Sequence, residues 1–406
     1  MNIELQNKEN NANKCRILIY FIALLCVISN ISYYPFFQAT GWARYVVIIS
    51  WSIILLYTLF VDNLFIKSKY FNKQSLFFIV FVLCSFFLYL MGQNDIFTNH
   101  FFLIVVISYF LFVLSSKIGQ NINTLEVKVI LLTYSFSVVI ISVPLYFIYL
   151  RGYDLSSLIY QYSYGKNEIA ILIMCSFIII SLYYNPIGKP QIIIKVASLF
   201  ILLLNIIFLR CRSAMVGIVI CFMLYIKHWR VNKYLKFVTL ILIATILMVS
   251  QLNKLKSFRD DVLFAGRTGY DLDDLSSGRI TQITYGLTLL KDNLLIGVGK
   301  NRTIDCLYIS ALVNYGLIFF IPIILLALYP IGFGINNYII NRKKLRSEDI
   351  CYLALSLSML TTSCLEELAP FGPGTRCYIF WLMFGIMINI KKGHENECIN
   401  EENFTY

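Results

Sequence analysis

Charge is the first thing this chain is short of. Asp, Glu, Lys and Arg make up only 14% of its 406 residues, and 59% are hydrophobic. A typical soluble domain carries about 25% charged residues. So much apolar sequence does not fit inside one water-soluble core, and its natural solvent is a bilayer. Length alone would allow two or three soluble domains, but the hydrophobic segments cover nearly the whole chain, so the reading is one integral membrane domain. Histidine is also scarce. His100, His228 and His394 lie in different loops, on different sides of the membrane by the topology below. No HExxH or Ser/His/Asp arrangement occurs, so no metal site and no cofactor is expected. The 11 cysteines include no CxxC pair. Most, such as Cys26, Cys84, Cys175 and Cys221, sit inside apolar runs and read as small apolar helix residues. The first apolar run follows a polar stretch, Met1 to Arg16, and lacks a small-residue cleavage site, so no cleavable signal peptide is expected. No internal repeat is evident.

What is present is a series of apolar runs. A spanning helix needs about 20 apolar residues, with a range of about 17–25. Twelve candidates follow: 17–35, 45–61, 76–92, 101–115, 129–150, 168–184, 191–209, 211–226, 237–250, 306–329, 350–364 and 377–390. The stretch 191–226 is too long for one span, and Arg210-Cys211-Arg212-Ser213 in its middle makes it a tight hairpin. The fold class expected is an all-α integral membrane protein of about 12 transmembrane helices, over 17–390. It is flanked by tails at 1–16 and 391–406, and the second tail is polar and expected to be disordered.

The net charge is +12. In a soluble protein that would suggest nucleic acid. Here the positive residues fall between the apolar runs, so topology and anionic lipids or substrates explain them better, and no nucleic-acid partner is expected. Twenty of the 34 lysines and arginines fall in one alternating set of loops, including Lys67/Lys69/Lys73, Lys227/Arg230/Lys233/Lys236 and Arg342/Lys343/Lys344/Arg346. By the positive-inside rule that set is cytoplasmic, and both termini are with it. The outer set then comprises 151–167, the Arg210–Ser213 turn, a long loop at 251–304, and 364–376. Positive charge there opposes the usual bias, and binding of an anionic ligand accounts for it, because arginine offers a planar fork of donors that suits phosphate.

Five motifs lie on that outer side. Arg210 and Arg212 stand at headgroup depth, as a clamp for a lipid diphosphate or as interfacial arginines. Ser276-Ser277-Gly278-Arg279 opens a short amphipathic helix over 281–290. Ser276 or Ser277 would cap it, and Arg279 would sit in its anion-favouring first turn. Gly297-Val298-Gly299-Lys300 is a glycine turn, and it is no P-loop because GxxxxGK[ST] is missing. Asp305 stands where the long loop re-enters the membrane, as a proton acceptor for a sugar hydroxyl, a helix N-cap, or both. It is followed by Asn314-Tyr315-Gly316-Leu317-Ile318. Lys166-Asn167-Glu168 begins one span, and Glu366-Glu367 with Arg376 occupies the last outer loop. All of these are interfacial polar groups, and for the two glutamates a role as base or sugar ligand stays open.

In this order the motifs resemble the O-antigen polymerase/ligase superfamily, most closely its polysaccharide polymerases (Wzy type). The resemblance rests on the Arg-Ser-Ala turn, a long outer loop with Ser-Gly-Arg, the following GxG, and a re-entering span with Asn-Tyr-Gly-Leu-Ile. It is most specific over 210–318. It implies a GT-C-like membrane glycosyltransferase of the bacterial inner membrane, with a partly helical periplasmic loop and its site on the periplasmic side. Polysaccharide on undecaprenyl diphosphate would move en bloc to a new undecaprenyl-diphosphate-linked repeat unit, with a chain-length regulator as a further partner. By carry-over Arg210, Arg212 and Arg279 match the family's outer arginines, and Arg267 stands in an RX10G spacing before Gly278. Arg302, Lys166, Asn167, Glu366 and Glu367 are further binding candidates, and Asp305 with Arg279 the catalytic ones. Ligases of the superfamily present a histidine just ahead of the re-entering span. Here Asp305 occupies the comparable place, which favours a polymerase over the ligase alternative. A flippase is the third reading. The span interiors are almost free of charge, with Glu168 and Lys195 near ends, which argues against it.

Overall fold

A computed structural model describes residues 2–34, 37, 45–47, 49–53, 56, 73–92, 97, 100–119, 124–150, 166–209, 211–228, 273, 278–291, 293–299, 304–341, 345–372 and 374–403. The fold among them is all helical. In order the helices are α1 (Asn2–Ile31), α2 (Lys73–Leu90), α3 (His100–Gly119), α4 (Thr124–Leu150), α5 (Lys166–Leu182), α6 (Lys189–Leu209), α7 (Arg212–His228), α8 (Arg279–Leu290), α9 (Leu307–Ile340), α10 (Ser347–Ser363) and α11 (Thr375–Asn403). Helices are what such apolar sequence must form in lipid, where each backbone N–H and C=O has to be satisfied within its own segment. Among the described residues, five helices, at Lys73–Leu90, Phe101–Gly119, Leu125–Phe147, Lys189–Leu209 and Leu307–Ile340, are long and apolar enough to cross a membrane, and Arg16–Ile31 and Asn167–Leu182 are shorter apolar helices. The protein is a multi-pass membrane protein. Of the twelve expected spans, 237–250 lies outside the described residues and 45–61 is described only in part.

Helix α5 is the centre of the bundle. Every residue from Ile169 to Ile180 is buried, as expected for a helix that is apolar all round. It is flanked by α4, α6, α7 and α10. The outer helices instead turn one face outward, with Leu83 62% and Ile193 67% exposed. Lys195, at the end of α5 away from the outer motifs, is buried and donates to the carbonyls of Ser181 (3.0 Å) and Tyr184 (2.7 Å). It caps the orphan carbonyls of a helix C-terminus.

Helix α3 lies along α11, where small residues let the backbones approach. A Cβ at Gly385 would come within 2.5 Å of the Phe112 carbonyl oxygen and 2.7 Å of the Ser116 nitrogen. Asn389 Nδ2 donates to the Ser116 carbonyl at 2.6 Å across the same interface. Such contacts hold helices together where lipid gives no hydrophobic drive. Gly385→Ala must therefore shift backbone and should cost about 1–3 kcal/mol. Thermal unfolding in detergent would show it as a lowered midpoint, whereas Gly332→Ala, with nothing within 4 Å, should leave the midpoint in place.

Helix α9 is broken at Gly316 (φ 67, ψ −174). The break frees the carbonyls of Val313 and Asn314 and the N–H groups of Leu317 and Ile318. The 294–299 segment takes them all. Val298 N donates to Val313 O (2.9 Å) and Gly299 N to Asn314 O (3.1 Å), while Leu317 N donates to Leu294 O (3.0 Å) and Ile318 N to Leu295 O (3.3 Å). Two motifs that look separate in the sequence are thus one device, with the glycine turn standing in for a missing helical turn.

Both ends depart from expectation. Helix α1 starts at Asn2, so it includes the polar stretch before Arg16, and α11 runs to Asn403 through the tail expected to be disordered. The tail lacks proline and is rich in Glu and Lys, which are good helix formers. It also extends a helix already nucleated in the bundle, so the cost of a first turn is absent.

Candidate functional site

One end of the bundle gathers the starts of α5, α7, α9 and α11, the end of α10, and all of α8. Arg279 enters from the first turn of α8. The N-cap of that helix is Gly278 in the left-handed region (φ 76), with no side-chain cap. The expected caps, Ser276 and Ser277, lie outside the described residues. Asp273 serves instead, accepting from Thr281 N at 2.9 Å and from Thr281 Oγ1 at 2.6 Å. Arg279 is largely buried, its side chain 18% exposed, and its Nε lies 3.6 Å from Asp305 Oδ2. Its Nη2 donates to the Leu365 carbonyl at 3.0 Å, which ties α8 to the last outer loop.

Asp305 is 48% exposed, and its backbone N–H reaches Gln282 Oε1 at 3.4 Å. The N-cap of α9 is Cys306, without a side-chain cap. Of the readings of Asp305, the capping one is therefore not met, and the carboxylate faces Arg279.

The 364–374 loop brings the remaining acids. Glu367 Oε1 accepts from Ser310 Oγ at 2.8 Å, and Ser310 in turn accepts from Asn314 Nδ2 at 3.2 Å. The chain links this carboxylate to the break in α9. Tyr308 and Ser363 hydroxyls meet at 2.8 Å. Glu366 Oε1 is buried with no hydrogen-bond partner among the described residues. Arg376, 3% exposed, lies beneath the loop. Its Nη2 is 3.5 Å from Glu168 Oε1 and donates to the Gly372 carbonyl at 3.1 Å.

Burial pushes the Glu366 carboxyl above its ordinary pKa. Arg376 opposes this, Asp305 adds to it, and Arg279 and Glu168 act with smaller and opposite effects. Burial raises Glu367 as well, against the hydrogen bond from Ser310 and with help from Asp305. Desolvation dominates both because it disfavours the charged form of an acid.

Arg212 opens α7, half-buried. A Cβ at Gly217 would meet Met174 of α5 and Ser358 of α10. Arg212, Glu168 and Ser363 each lie five or six residues beyond that contact. At about 1.5 Å per residue they reach the same level, at the Arg279 end.

The structure therefore brings together Arg279, Asp305, Glu366 and Glu367, places Asn167 at the opening of α5, and puts Arg212 at the same end. Lys166 is the first residue of α5, and its side chain lies outside the described residues, as do Arg210, Arg267 and Arg302. Sequence reasoning took Arg376 and Glu168 for interfacial groups and overlooked Ser310 and Asn314 as partners of a carboxylate. The one available signal was the Gly372-Pro373-Gly374 sequence two residues before Arg376. The arrangement offers cationic donors for an anion beside carboxylates of raised proton affinity.

Residues 197–329 match the family model described as O-Antigen ligase. The match supports membership of the O-antigen polymerase/ligase superfamily. Members of this superfamily are glycosyltransferase-like enzymes of O-antigen and polysaccharide processing. The matched segment contains Arg212, Arg279, Asp305, Ser310, Asn314 and Gly316, and it ends before Glu366, Glu367 and Arg376. No curated protein matches the chain.

Proposed function

We propose that the protein is an O-antigen polysaccharide polymerase of the bacterial inner membrane, with its termini in the cytoplasm and the Arg279 cluster facing the periplasm. The donor is polysaccharide on undecaprenyl diphosphate. The acceptor is one repeat unit on the same lipid, and the chain moves en bloc. The observation that carries this reading is the convergence of Arg279 with Asp305, Glu366 and Glu367 at one end of an apolar bundle. When the sugar–phosphate bond breaks, charge collects on the diphosphate. Preorganised guanidinium groups at a site shielded from water stabilise such charge best. Arg279 supplies one, held in place by Asp305 and the Leu365 carbonyl, and Arg212 a second. Arg210, Arg267, Arg302, Lys166 and Asn167 extend the binding surface. The apolar faces between helices receive the polyprenyl tail, and a chain-length regulator is the further partner.

Removing one charge-stabilising donor typically costs about 100-fold in rate or more. Arg279→Ala, expressed in a deletion strain, should leave lipopolysaccharide at core plus one repeat unit, with polymer down about 100-fold. A full ladder would refute the assignment, and absence of even the single unit would point to a ligase or a flippase. The description of the matched family favours ligase as a second reading. Against it stands the long loop, 251–304, which contains no histidine. Purified protein offered lipid A–core and lipid-linked repeat units in separate reactions would distinguish the two.

A further inference from the structure

We infer that Glu366 is the group that takes the proton from the incoming sugar hydroxyl. The inference rests on the transferase reading above and deepens it, by choosing among three carboxylates, of which the sequence favours Asp305 and leaves a role as base open for Glu366 and Glu367.

Their engagements differ. Asp305 is half exposed, and its Oδ2 lies 3.6 Å from Arg279 Nε, so it is already engaged by a cation. Glu367 already accepts the Ser310 hydroxyl, which Asn314 holds in turn. Glu366 presents a buried oxygen, Oε1, that accepts nothing among the described residues. Leaving such an oxygen unsatisfied is costly in a folded protein. A substrate hydroxyl donating to it would remove that cost at the moment of binding, so the position is prepared for a donor.

The charged groups around Glu366 come from every side. Arg279 faces it from α8, Asp305 from the segment before α9, Glu168 from α5 and Arg376 from α11, with Glu367 beside it on its own loop. Arg279 and Arg376 are balanced by Asp305 and Glu168. With the charges nearly cancelled, burial decides, and the proton affinity of Glu366 rises. A carboxylate raised towards the working pH is a better base than an ordinary one.

The step balances. The acceptor hydroxyl oxygen forms a bond to the donor's anomeric carbon. The bond from that carbon to the diphosphate oxygen breaks, and its electron pair leaves with the diphosphate, beside Arg279. The hydroxyl proton moves to Glu366 Oε1. From Glu366 the proton is released to water before the next transfer.

The sign of the pH dependence follows. The base form exists above the raised pKa of Glu366, so activity falls as pH drops through that value. The acid limb therefore lies above the range of an ordinary glutamate. The test is kcat and KM against pH, using the purified full-length protein and lipid-linked repeat units. Glu366→Gln should lower kcat by about 100-fold, leave KM little changed, and abolish the acid limb. Glu366→Asp should recover part of the rate and keep the limb. Asp305→Asn and Glu367→Gln should keep the limb whatever they do to the rate. An acid limb that survives in Glu366→Gln, or disappears in Asp305→Asn or Glu367→Gln instead, overturns the assignment. Should Glu366→Gln fail to fold, the wild-type profile decides: a limb at the ordinary glutamate position overturns it equally. A wild-type protein that joins repeat units neither to each other nor to lipid A–core overturns the transferase reading, and the assignment with it.

Discussion

Gly316→Ala should destabilise the protein by roughly 4 kcal/mol and abolish activity. Two costs combine. The backbone at Gly316 (φ 67, ψ −174) lies in a region open essentially to glycine alone, worth about 1–3 kcal/mol for any other residue. A Cβ there would also run into the Leu295 carbonyl and come within 2.5 Å of Gly297 N. Those atoms are backbone, held by the four hydrogen bonds that splice 294–299 into α9, so they cannot rotate away as a side chain would, and overpacking adds about 1–3 kcal/mol more. Relief requires the glycine turn to leave the helix. That strands the carbonyls of Val313 and Asn314 in an apolar setting and loosens Asn314, the outer member of the chain through Ser310 to Glu367. Unfolding in detergent measures the first effect and polymer yield the second. Gly278→Ala is the control. It too has a positive φ (76), but nothing lies within 4 Å of a Cβ there, so the cost should be only about 1 kcal/mol. If the two variants unfold alike, the spliced helix is not the constraint described.

The same splice marks where sequence reading stopped. The apolar runs disclosed most helices, because a bilayer forces one solution on such sequence. The two arginines amid a long apolar run disclosed the turn between α6 and α7, which ends at Leu209 and resumes at Arg212. Periodicity disclosed α8. Gly297 and Gly316 were visible only as separate weak signals, since the bonds that splice their two segments run backbone to backbone and write nothing into side-chain pattern. Ser310 and Glu367 meet across 57 residues, and no local rule joins a serine in one helix to a loop glutamate. Arg376 misled for a related reason. Its neighbours make it read as an interfacial arginine that snorkels to water, and only the fold of 364–374 over it reveals a buried charge. The site was thus legible as a set of residue types on one side, and not as a set of partnerships.

Arg376→Ala should be as severe as Gly316→Ala, through electrostatics instead of sterics. The guanidinium is 3% exposed, lies 3.5 Å from Glu168 Oε1 and donates to the Gly372 carbonyl. Removing one partner of a buried pair leaves the other as an uncompensated charge, at a cost of about 3–5 kcal/mol. Glu168 already has a second oxygen buried without a hydrogen bond, so the loss falls on a group that is already under-satisfied. Replacing the pair together, by Arg376→Met with Glu168→Leu, removes both desolvation costs and should recover most of the stability. It should not restore the wild-type pH dependence. Arg376 is the strongest influence holding down the Glu366 pKa. Without it that pKa climbs further, and the acid limb of the rate profile moves to higher pH in the double variant. Calorimetry on the single and double variants reads the first claim, and their pH profiles the second. An Arg376→Ala protein that melts with the wild type would show that the pair carries no such strain. A double variant with the wild-type acid limb would show that Glu366 titrates independently of Arg376.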